Sequence, residues 1–87
     1  MESADFDRRL KRVLERSFPS ARAEVGRFHG AERAHGHLVW DGFRDMDSMD
    51  RQDAVWKVLR DELGTEAQSV SVILTYTPEE MEFMAAA

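Results

Sequence analysis

The chain has 87 residues, 43% of them hydrophobic and 33% charged, with a formal net charge of −5 and no cysteine. That length holds one domain that buries only about 60–65% of its unfolded surface, so the stability margin is small. The composition is globular rather than disordered, and the lack of cysteine excludes disulfides, thiolate nucleophiles and all-cysteine zinc or iron–sulfur sites.

The first element is a helix. Phe6, Leu10, Val13, Leu14 and Phe18 fall on one helical face. Asp5 is placed to cap it and Pro19 to stop it, because the residue before a proline avoids helical geometry. Residues 21–28 alternate weakly and read as a strand. Residues 29–36 hold two glycines and polar side chains and read as a turn, and residues 37–40 read as a second strand. The short connection favours an antiparallel hairpin.

Asp41-Gly42 ends that strand, and Asp47 or Ser48 caps a second helix of about sixteen residues. Its apolar face carries Met49, Trp56, Leu59 and Leu63, with Val55 beside them and Gly64 as the C-cap. Residues 69–76 are the clearest strand. Val70, Val72, Leu74 and Tyr76 share one face, and Ser69, Ser71, Ile73 and Thr75 form a mixed, partly solvated one. Thr77-Pro78-Glu79-Glu80 opens a last helix, with Thr77 and Glu80 as a capping box. The expectation is a single α+β domain over residues 1–87, with its core at about 5–84. The element order is α-β-β-α-β-α, a three-stranded sheet with helices packed on one face. Strand order stays open at this stage.

Charge is uneven: residues 1–35 carry a net +2 and residues 36–87 a net −7. Arg8, Arg9, Arg12 and Arg16 form a basic helical surface, which is either a phosphate-binding face or a solvated one. The acidic total opposes nucleic acid. A KH-type site also needs a Gly-x-x-Gly loop, which the sequence lacks. Asp41, Asp45, Asp47, Asp50 and Asp53 crowd one segment without the glycine and closing glutamate of a calcium loop. No phosphate loop, serine elbow or metalloprotease pair is present, so the expectation is no enzyme. No apolar run has signal-peptide or membrane-span length, so the expected location is the cytoplasm.

His29, His35 and His37 lie within nine residues. His35 and His37 share a face on a regular strand, and with His29 they are candidate ligands for zinc, copper or nickel. The alternative is exposed loop histidines with no partner. Trp40 and Tyr76, near strand ends, read as core rings whose polar atoms reach water, and Trp56, on the helix stripe, reads as core.

The stretch Val39-Trp40-Asp41-Gly42-Phe43-Arg44-Asp45, the helix from Arg51-Gln52-Asp53 to Leu63, the closing Leu74-Thr75-Tyr76-Thr77-Pro78-Glu79-Glu80 and the opening helix ending in Phe18-Pro19 resemble BolA-like proteins over roughly residues 6–82. The resemblance implies a fold similar to the type II KH domain. It implies a role in stress response, iron handling or transcriptional regulation, and partnership with a monothiol glutaredoxin that shares a [2Fe–2S] cluster. The family's Arg-His-Arg triplet stands here as Arg51-Gln52-Asp53. The family histidine that ligates the cluster falls at Ser69. The second ligand of the family lies in the loop between the first two strands, where His29 or His35 stands. The expected contact region is therefore the hairpin loop with His29 and His35, the helix entry at Arg51 and the strand start at Ser69, with no cofactor held by the chain alone. Two other readings stand beside this one: a KH-like nucleic-acid binder, and a divergent interaction domain that holds no metal.

Overall fold

A computed structural model describes residues 2–28 and 32–86, with side chains from Ala4 onward. Helix α1 spans Glu2–Ser17, strand β1 Arg22–Gly26 and strand β2 Ala34–Val39. Helix α2 spans Ser48–Leu63, strand β3 Val70–Tyr76 and helix α3 Pro78–Ala86, and 3-10 turns cover Asp41–Phe43 and Gly64–Ser69. The sheet order is β1-β2-β3, with β1 antiparallel and β3 parallel to β2. The crossover through α2 makes that parallel pair possible, since a tight hairpin cannot.

Helix α1 begins at Glu2, so Asp5 lies inside it and pairs with Arg8 instead of capping. Leu10, Val13, Leu14 and Phe18 are buried as the spacing predicts. Pro19 ends the helix in a tight turn. The Ala21 N–H donates to the Phe18 carbonyl at 2.9 Å, and Ser20 sits at φ 70°. That is type II turn geometry, with proline in the second place and a positive φ in the third.

Strand β2 starts three residues earlier than the glycines suggest. Gly36 is a strand residue paired with Val25, and a Cβ there would lie 2.4 Å from the Glu24 carbonyl oxygen. Gly36 therefore serves close approach of two strands rather than a turn.

Strand β3 corrects the expected faces. Ala34 pairs with Val70 and His35 with Val72, so Ser71 is an extra residue opposite that step. The bulge shifts the alternation. Val70 and Ile73 are buried, whereas Val72 and Leu74 are 38% and 49% exposed. The apolar set Val72, Leu74 and Tyr76 consequently shares the open face of the sheet with His35 and His37.

Asp47 caps α2, accepting from the Asp50 N–H at 2.8 Å, and Gly64 ends it at φ 59° with its N–H donating to the Arg60 carbonyl. Val55, Leu59 and Leu63 face the sheet. Met49 is 72% exposed, because the helix is rotated to present Val55 instead. Phe18, Trp40 and Phe43 close one end of the core with ring centroids 5.0–5.9 Å apart. The Trp40 indole N–H donates to the Pro19 carbonyl at 3.0 Å rather than to water. Trp56 is half-buried, and its N–H donates to Gln52 Oε1 at 3.2 Å. The capping box at α3 is formed: the Thr77 N–H donates to Glu80 Oε1 at 2.8 Å, and the Glu80 N–H to Thr77 Oγ1 at 3.2 Å. No helix among the described residues is long and apolar enough to cross a membrane.

Candidate functional site

Because β1 is antiparallel and β3 parallel to β2, the end of β1 and the starts of β2 and β3 lie at one end of the sheet. Arg27 and Phe28 after β1, Glu32 and Arg33 before β2, and Ser69 before β3 therefore converge there. This end is anchored from below by Arg27, which holds Asp7 with two hydrogen bonds of 2.9 and 3.2 Å, stacks near the Phe6 ring and donates to the Glu32 carbonyl. Both partners of that pair are largely buried, so the geometry is held in a place where an unpaired charge is costly. Opposite charges 20 residues apart carry no sequence signal, and the pair was not foreseen.

Phe28 leaves this anchor 68% exposed and stacks on His35, with ring centroids 4.1 Å apart and 24° between planes. His37, the next residue on that face of β2, meets Tyr76 edge-on at 6.1 Å. His35 thus belongs to a strand, not to the loop expected from its glycine neighbours. His35 and His37 do share a face, as their spacing predicts. His29 lies outside the described residues. Among the described residues no three His, Asp or Glu side chains come together to hold a metal ion.

A shared [2Fe–2S] cluster needs soft thiolate or imidazole donors. The position expected for its histidine carries Ser69, half-buried at the close of the 3-10 turn before β3. Ser69 supplies neither donor, so among the described residues at that end of the sheet only the His35 imidazole fits the group, short of the pair of ligands expected there.

Arg51 and Ser69 are not neighbours. Ser69 precedes the start of β3, whereas Arg51 sits beyond its far end, tied to α3. Arg51 donates to both carboxylate oxygens of Glu80 at 2.7 and 3.2 Å and to the Met46 carbonyl at 3.0 Å, and it lies 5.6 Å from the Phe43 ring centre. The Arg51 guanidinium, followed by the Thr77 N–H, holds the Glu80 carboxyl below its ordinary range. Arg51 joins α2 to α3 and has little left to offer a partner. The triplet's central position, Gln52, is also spent internally: its Nε2 donates to the Ile73 carbonyl at 2.8 Å.

The basic surface of α1 is neutralised in the same way. Arg8 pairs with Asp5, Arg9 with Glu66 and Arg16 with Glu62, which leaves Arg12 without an ion pair among the described residues.

A second concave region lies beside the start of β3. It is an open cleft of about 790 Å³ between the C-terminal half of α2 and the turn that follows, walled by Trp56, Ala67 and Val70 with Arg33 and Arg60 at its mouth. At the other end of β3 a groove of about 460 Å³ runs along α3 beside Tyr76, Phe83 and Met84.

No family sequence model matches the chain, and no curated protein matches it. Solved structures do. A bolA protein homologue from Coxiella burnetii is 22% identical, with a TM-score of 0.61 over 84% of this chain and 91% of that one. The BolA domain of SufE1 from Arabidopsis thaliana is 24% identical, with a TM-score of 0.64 over 86% of this chain and 94% of that one. The fold is BolA-like, as the sequence resemblance implies.

Proposed function

We propose that this BolA-like fold serves a non-catalytic interaction module of the BolA family, and that its partner is a glutaredoxin-like protein. Contact is made at the sheet end that carries Phe28, His35 and Ser69. The observation that carries this reading is Phe28: a large aromatic ring, mostly exposed, held in place by stacking on His35 and by the Arg27–Asp7 anchor beneath it. Exposed aromatic rings on a rigid support are the usual energetic centres of protein interfaces. With Ser69 in place of a histidine, the partner is held by side-chain contact and no cluster bond is needed from that position.

Nucleic-acid binding is the weaker reading, because three of the four α1 arginines are already paired with carboxylates.

The test is to titrate an apo monothiol glutaredoxin into the protein by calorimetry, with size exclusion as a second readout. The expected result is a colourless one-to-one complex that Phe28→Ala weakens at least about tenfold. Separate elution and no heat would refute the partner assignment. After anaerobic reconstitution, a visible iron–sulfur absorption from the complex that His35→Ala removes would refute the cluster-free part of it.

A further inference from the structure

The exposed side chains of α3 at one end of β3 and the cleft at its other end are opposite in charge. Helix α3 carries Glu79, Glu80 and Glu82 and no basic residue. Glu79 and Glu80 are paired with Arg44 and Arg51, but Glu82 has no ion-pair partner among the described residues. Beside it stand Phe83 and Met84, 76% and 56% exposed. The cleft at the opposite end has apolar walls in Trp56, Ala67 and Val70 and two arginines, Arg33 and Arg60, at its mouth. Neither arginine has an ion-pair partner among the described residues. An apolar projection rimmed by acid and an apolar recess rimmed by base are both left unmatched on a protein of net charge −5.

One copy cannot match them to each other. They are separated by β3, whose seven residues span roughly 20 Å at about 3.3 Å each. The Arg51–Glu80 pair fixes α3 at the N-terminal end of α2, while Arg60 and Gly64 place the cleft at its C-terminal end. We infer that the occupant of the cleft is α3 of a second copy of this chain. A two-fold axis across the middle of the α2–β3 edge sets each α3 against the other copy's cleft, forming two identical contacts and a closed dimer. β3 is an edge strand with no charged residue along it, so no like charges face each other along the strand when its own copy approaches. Gln52 already occupies the Ile73 carbonyl in the middle of that edge, so the contact is held by side chains at its two ends rather than by a continuous ladder.

Sedimentation equilibrium or light scattering tests this at protein concentrations from about 10 μM to about 1 mM, where a small transient interface becomes populated. The expected result is a mass rising from the 10.0 kDa of one chain toward about twice that value. Phe83→Glu and Arg60→Glu each hold the mass at one chain. Arg60→Glu combined with Glu82→Arg restores the rise. These are exposed side chains, and a far-UV circular dichroism spectrum checks that each variant stays folded. Met84→Glu is the substitute if Phe83→Glu does not fold. A mass of one chain at every concentration overturns the inference. So does a rise that neither single reversal removes, or one that the paired reversal does not restore.

Discussion

Gln52 Nε2 donates at 2.8 Å to the carbonyl of Ile73, while its Oε1 accepts from the Trp56 indole at 3.2 Å. One half-buried amide thus ties α2 to the outer edge of β3 and orients Trp56 at the wall of the cleft. Gln52→Ala removes both bonds and leaves a carbonyl and an indole N–H without partners. Each unsatisfied group costs about 1 kcal/mol or more when shielded from water. The expected loss is about 2 kcal/mol in urea unfolding, with Gln52→Glu also destabilising, because a carboxylate has no N–H to offer the Ile73 carbonyl.

Gly36 offers a sharper steric case. A Cβ at that position would sit 2.4 Å from the Glu24 oxygen, a backbone atom that cannot turn aside. Gly36→Ala must therefore push β1 away from β2, and overpacking of this kind costs about 3 kcal/mol. The midpoint of thermal unfolding is the measurement, and an unchanged midpoint would contradict the register of the hairpin.

At Ser20 the direction reverses. Its φ of 70° is a left-handed conformation that a side chain disfavours by about 1–2 kcal/mol. Glycine removes that strain but loses about 0.5–1 kcal/mol of backbone entropy on folding. The difference favours Ser20→Gly, with an expected gain of roughly 0.5–1 kcal/mol in denaturant unfolding.

The pH dependence follows from Glu80. Its carboxyl is held below its ordinary value of 4.5 by Arg51 first and by the Thr77 N–H second. Glu15 is lowered as well, chiefly by the Ala23 N–H that it accepts. A group whose folded pKa is lowered stabilises the fold above its unfolded value, and that contribution disappears as pH falls through the folded value. Stability is therefore expected to decline on acidification below about pH 4.5, the ordinary value from which both groups are depressed. Glu80→Gln removes part of that decline. Nearly half of the Glu80 side chain is exposed, so its share is no more than about 1 kcal/mol.

The sequence by itself determined the six elements, their order and most of their caps. Periodicity in α1, the Asp47 cap, the Gly64 stop and the Thr77–Glu80 box are local devices, each written in a few adjacent residues. The resemblance carried by residues 39–63 and 74–80 also led to the BolA-like fold that the solved structures support. Tertiary structure alone decided which faces are wet. The Ser71 bulge turned Ile73 inward and left Val72 and Leu74 on the open face, and the rotation of α2 exposed Met49. It also decided the fate of the charges. Arg51 became a tie between helices, Arg27 found Asp7 across the sheet end, and Arg33 and Arg60 came together at one cleft. None of these could be read along the chain, because a side chain's partner and its exposure depend on which distant residue the fold places opposite it, and pairing register is set by the whole sheet rather than by the residues on either side.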